Sequence, residues 1–158
     1  MSTTTAASLS TVNPSTGQTI SQYEIMDREQ VTLTVKQARK AFGNWKGIGI
    51  SKRAEFIRDF AQELRRNKAD LAKTATQEMG KPIKESIAEV EKCAWVSEYY
   101  ADNGPIFLND EVVNTDARKS IITFQPLGVV GSIMPWNFPY WQALRFATPS
   151  LMAGNTKS

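Results

Sequence analysis

At 158 residues the chain is long enough for one domain with a sizeable core and too short for two. Its formal net charge of +3 is thinly spread, with no run of five basic residues, so nucleic-acid and membrane-surface binding are not indicated. With no histidine and one cysteine, Cys93, the sequence excludes Ser-His-Asp, Cys-His and histidine-metal chemistry as well as an intrachain disulfide, and it suits a reducing compartment.

Residues 1–10 are small and polar, lack the basic start and apolar stretch of a secretion signal, and read as a disordered tail. No window approaches a membrane span, so a soluble, cytoplasmic protein is expected. Thr11-Val12, the turn Asn13-Pro14-Ser15-Thr16-Gly17 and Thr19 to Ile25 form a predicted hairpin, with Pro and Gly supplying the turn dihedrals. Asp27 with Gln30 three residues on makes a capping box for a first helix, whose face is Val31, Val35, Ala38 and Phe42 and whose end is Gly43-Asn44. A loop carrying Trp45 leads to Ser51, the expected cap of a second helix with a stripe of Ile57, Phe60, Ala61 and Leu64. Asn67 caps a third helix, which runs to Met79 and stops at Gly80.

Pro82 suits the first turn of a fourth helix, with Ile83, Ile87, Val90 and Ala94 as its buried face and an end near Ala101. Cys93 lies inside it and reads as a small apolar packing residue. The charges along these helices read as solvated faces with pairs such as Lys81 and Glu85, rather than as a phosphate site. Residues 11–109 thus form a unit of hairpin plus helices. From 110 to 125 the pattern is extended, Val112 to Thr115 and Ser120 to Phe124 flanking a turn at Asp116-Ala117-Arg118.

Residues 126–158 hold the most informative stretch. Val129, Val130, Ile133 and Met134 read as a strand buried on both faces. Pro135-Trp136-Asn137-Phe138-Pro139 follows, and each proline biases the residue before it to extended backbone. A helix with Trp141, Leu144, Thr148 and Leu151 on one face ends at Gly154. Strand, rigid turn and helix open a doubly wound parallel α/β sheet, and ligands there sit just past the carboxyl ends of strands, where Asn137 lies. Trp136, Phe138 and Trp141 also suit a core, and Asn137 also suits a turn bonding its own backbone.

The string MPWNFPYWQALRFATPSLMAGNT resembles the aldehyde dehydrogenase superfamily, most of all its succinate-semialdehyde dehydrogenase branch, and the likeness runs from about Thr11 to Thr156. The resemblance implies the amino-terminal part of that fold, with residues 11–109 belonging to the cofactor-binding domain, 110–125 to an oligomerisation arm and 126–158 to the first strand-turn-helix of the nucleotide-binding sheet. It implies that the Asn137 amide stabilises a thiohemiacetal oxyanion. It also implies that Ile133, Met134, Pro135, Trp136 and Asn137 line the nicotinamide end of NADP or NAD, and that Trp141 and Arg145 line the substrate tunnel. Arg145 reads equally as a carboxylate partner or as one half of an ordinary structural salt bridge.

A small aldehyde substrate and a homo-oligomer follow from the same likeness, and no metal is implied. The family's nucleophilic cysteine, general-base glutamate and ribose-binding lysine lie downstream of this motif, and Lys157 comes too early for the last of these. An inactive amino-terminal portion is therefore expected, one that does not hold cofactor firmly by itself. The parallel neighbours of its strand are expected to come from outside the chain, leaving the helices around Ile83–Ala94 and Tyr140–Ala153 with bare apolar faces. The alternative is a non-catalytic homologue that pairs with full-length subunits through the arm.

Overall fold

The computed structural model describes residues 7–157. Strand β1 (Ser8–Val12) pairs antiparallel with β2 (Thr19–Glu24) around the Asn13 turn, where Asn13 Oδ1 accepts from the Ser15 amide at 2.9 Å. Ser8, Leu9 and Ser10 pair with Glu24, Tyr23 and Gln22, which corrects the tail expected through residue 10. A Ser-Leu-Ser run carries little apolar signal, and ladder bonds hold it. Residues 1–6 of that expected tail lie outside the described residues.

Helix α1 (Arg28–Gly47) starts on the anticipated capping box, with Asp27 and Gln30 exchanging two 2.8 Å bonds. It continues through Gly43 and Asn44 and carries Trp45, which local signals assign to a loop. Trp45 Nε1 donates to the Leu151 carbonyl at 2.9 Å, and this tertiary anchor outweighs the local glycine signal. No α1 residue is buried: Val31 and Val35 stand open, because apart from the Trp45 anchor the helix packs mainly on a very short sheet. Helix α2 (Ile50–Arg66) is capped by Gly49 rather than Ser51 and buries Ala54, Ile57, Ala61 and Leu64, leaving Phe60 outside. Helix α3 (Lys68–Met79) ends at Gly80, whose φ of 70° is the expected left-handed stop.

Helix α4 (Ile83–Phe107) outruns its expected end at Ala101 and passes through Pro105. A proline there cannot donate to the Ala101 carbonyl, and Arg58 Nη2 reaches that oxygen at 3.5 Å instead. Its buried residues are Ser86, Glu89, Val90, Cys93, Ala94, Val96, Ser97, Ala101 and Gly104, a face that keeps Val90 and Ala94 of the expected stripe and leaves Ile83 and Ile87 exposed. Small residues let α2, α3 and α5 approach α4 closely, and close approach chose the face over side-chain size.

Strands β3 (Glu111–Val113) and β4 (Ser120–Ile122) form the second antiparallel hairpin, almost wholly exposed. The strand expected to run to Met134 is only β5 (Val129–Val130), and Ile133 is fully exposed. After α5 (Pro139–Met152) comes β6 (Thr156–Lys157), which pairs parallel with β5, Val129 opposite Thr156. A parallel neighbour therefore comes from this chain itself. Gly154 (φ 91°) turns α5 into β6, and Asn155 Oδ1 accepts from the Gly128 amide at 3.0 Å.

The expectation of bare α4 and α5 faces is corrected in part: Ile83 and Ile87 do stand exposed on α4, but the rest of both faces is packed. One core joins Ala61, Leu64, Val90, Cys93 and Ala94 with Tyr140, Trp141 and Leu144, and a second joins Ala54, Ile57, Ala101 and Met152. Among the described residues no helix is long and apolar enough to cross a membrane.

A methyl added at Gly104 would lie 2.4 Å from Met152 Cγ in the α4–α5 seam, whereas one at Gly43 meets nothing within 4 Å. Gly104→Ala should cost about 1–3 kcal/mol of unfolding free energy in denaturant titration. Gly43→Ala should raise stability by about 0.5–1 kcal/mol.

Candidate active site

Beyond β5 the chain leaves regular structure, turns at Trp136-Asn137 and enters α5 at Pro139. Phe138 occupies the N-cap position and has no side-chain group to accept from the first amides of the helix. The acceptor comes from α4. Glu89 Oε1 takes both the Tyr140 and Trp141 amides, each at 2.9 Å, and its second oxygen takes the Lys81 ammonium. The Glu89 side chain is 2% exposed and that of Lys81 12%. A carboxylate at a helix N-terminus satisfies orphan donors and meets the positive end of the helix dipole, and the lysine balances the rest of its charge. The expected surface pairing of Lys81 with Glu85 is thus replaced by a buried pair with Glu89.

This clamp shapes a cleft of about 560 Å³ between α4 and the start of α5, lined by Glu85, Ala88, Glu89, Lys92, Asn137, Phe138, Trp141 and Gln142. The four α4 residues fall at i, i+3, i+4 and i+7, one face of the helix. Two cations sit over aromatic faces there, Lys92 Nζ 4.0 Å from the Trp141 ring centroid and Lys81 Nζ 4.9 Å from that of Phe138. Gln142 Oε1 is buried in the same place without a hydrogen-bond partner.

Of the residues singled out from sequence, Asn137 and Trp141 line this cleft together. Ile133, Pro135 and Trp136 are exposed on the segment leading to it, and Met134 is half-buried. Arg145 is exposed one turn beyond Trp141 and is not in the cleft lining. Cys93 is fully buried on α4, and burial, followed by the nearby Glu89 charge, pushes its thiol up to about 12. A thiol so placed is neither accessible nor ionised near neutrality. Glu89 and Lys92 are cleft residues that sequence reasoning missed. Their signal was the 85, 88, 89, 92 spacing, which a solvated helix face produces equally well.

The aldehyde dehydrogenase family model matches residues 1–157. The chain is 44% identical over 147 residues to a probable NADP+ succinate-semialdehyde dehydrogenase of Synechocystis sp., covering 93% of this chain and 32% of that protein. It is 37% identical over 155 residues to the NAD(P)+ succinate semialdehyde dehydrogenase of Escherichia coli, covering 98% and 34%. The structure superposes on the NADP+ complex of succinic semialdehyde dehydrogenase from Streptococcus pyogenes with a TM-score of 0.88 at 29% identity, covering 94% of this chain and 33% of that one. The chain spans about a third of the length of these relatives.

Cys93 should resist iodoacetamide at pH 8 in the native chain and react fully in denaturant, as read by mass spectrometry. Because its folded pKa lies above its unfolded value, the stability it confers is complete below about pH 9 and is lost as pH rises towards about 12. Glu89→Ala leaves Lys81 and two helix amides without their acceptor, and should cost about 3–5 kcal/mol in denaturant unfolding.

Proposed function

The chain belongs to the aldehyde dehydrogenase family, and from that premise we propose that it supplies the amino-terminal part of an NAD(P)-dependent enzyme oxidising succinic semialdehyde to the acid. The supporting observation is Asn137, exposed at the lip of the α4–α5 cleft just beyond β5 and held by a helix that Glu89 caps. A side-chain amide fixed there donates to a carbonyl oxygen as it gains negative charge, the oxyanion-hole role. Trp141 packs along the carbon chain of the aldehyde.

Exposed Ile133 and Trp136, with Met134 and Pro135, fit a wall for the nicotinamide of NADP or NAD, since they lie past the carboxyl end of a parallel strand. Bound there, the cofactor supplies a hydride acceptor. The chain's own share is to orient the aldehyde and stabilise its oxygen. Its one thiol is sealed inside α4 and does not supply the nucleophile. The buried free thiol suits a reducing, cytoplasmic compartment. A second reading, a non-catalytic homologue that pairs with full-length subunits, is favoured by the β3–β4 hairpin, where Val112 is 81% exposed on an uncovered edge.

Purified 158-residue chain should show no succinic-semialdehyde-dependent reduction of NADP+ or NAD+ above buffer. Joined in frame to the region of the Synechocystis relative that follows the matched segment, it should turn over. Asn137→Ala in that hybrid should lower kcat about a hundred- to a thousand-fold. A folded hybrid without turnover, or one indifferent to Asn137→Ala, overturns the reading. Co-migration of the chain with a full-length relative on a sizing column would support the second.

A further inference from the structure

We propose that the outward face of α4 is a self-association surface, which pairs antiparallel with α4 of a second copy of this chain. The contact does not rest on the aldehyde-oxidising reading. Six residues of the face are exposed: Ala88, Lys92, Trp95, Tyr99, Asp102 and Ile106. Their spacings of four, three, four, three and four are those of a helix–helix seam, and they run ~27 Å along the axis. A helix face turned only to water has no use for large aromatics. Yet Trp95 is 57% exposed and stacks on Tyr99 with ring centroids 6.0 Å apart, and Tyr99 meets Phe107 at 6.2 Å. A contiguous exposed aromatic patch marks a contact surface.

The order of these residues identifies the occupant, because the stripe is its own complement when reversed about Ser97. In an antiparallel pair crossing there, Trp95 of one copy faces Tyr99 of the other, Lys92 faces Asp102, and small Ala88 faces large Ile106. Each contact occurs twice, as a two-fold axis requires. Both charges are available. Lys92 forms no ion pair among the described residues, its ammonium resting over the Trp141 ring. Asp102 accepts from Arg58 Nε at 3.0 Å and Nη2 at 2.8 Å, both through Oδ1, leaving Oδ2 unpaired among the described residues. Parallel pairing would instead set Lys92 against Lys92 and Asp102 against Asp102, which repulsion disfavours. A seam ~27 Å long and one helix (~10 Å) wide covers far less than the ~800 Å² per partner of a standard interface. The dimer is therefore weak and reversible, with Kd on the order of 100 µM. Ala88 and Lys92 also line the cleft, so the second copy lies along its α4 wall.

The test is sedimentation velocity of the 158-residue chain. Between about 10 and about 500 µM, a range that brackets that Kd, the boundary should move from monomer to dimer. Lys92→Glu sets Glu against Asp102 twice and Asp102→Lys sets Lys against Lys92 twice, so each should weaken association about tenfold or more. An equimolar mixture of these two variants makes both contacts opposite in charge, and should associate within about twofold of the unaltered chain. Trp95→Ser should weaken association about tenfold or more. Val112→Lys, on the β3–β4 edge, should leave it unchanged. All four positions are exposed, so each variant should keep the helical circular dichroism of the parent. A chain still monomeric at about 500 µM, undiminished association in Trp95→Ser, a mixture no better than its components, or dependence on Val112 each overturns the proposal.

Discussion

A single buried carboxylate sets the geometry of this molecule. Glu89 replaces the cap that Phe138 cannot provide, and so fixes where α5 begins. The turn carrying Asn137 is joined to that start by one residue and cannot move independently of it. A buried charge is tolerated because each oxygen has a partner: two helix amides on one side, an ammonium on the other. The same side chain thus joins α4 to α5, closes one wall of the cleft and adds to the burial that raises the ionisation threshold of Cys93 one turn along α4.

The rest of the architecture serves the same alignment by small contacts. Alanines at 54, 61, 94 and 101 bring α2, α4 and α5 together without bulky interdigitation. The Tyr140 hydroxyl donates to the Leu71 carbonyl at 2.9 Å, tying the entry of α5 to α3 as well. At the far end of α5, Arg53 Nε donates to the Met152 carbonyl at 3.1 Å and Trp45 to that of Leu151. A helix held at both ends by side chains from its neighbours is a rigid support for a turn that must present an amide accurately.

What was legible from sequence follows the range of the interactions. The α1 capping box, the Gly80 stop and both hairpins are local, decided by residues close together in the chain, and they could be read directly. The PWNFP turn and its family likeness were legible because two prolines restrict a short backbone strongly. Long-range compensation was invisible. Trp45 carries α1 past Gly43 through a partner more than a hundred residues away, and Arg58 serves the carbonyl that Pro105 leaves empty. Glu89 and Lys92 were hidden for a related reason: charged residues at helical spacing look alike whether they face water or a cleft.

The bond from Thr156 Oγ1 to the Ala38 carbonyl, 3.0 Å long, joins positions 118 residues apart, and Trp45 and Arg53 likewise depend on the carbonyls of Leu151 and Met152. As the polypeptide emerges from the ribosome, the first helix therefore has almost nothing to rest on until the codons for residues 151–156 have been read. Its capping box can start the spiral, but docking waits. Its arrival in place therefore comes late in assembly rather than first.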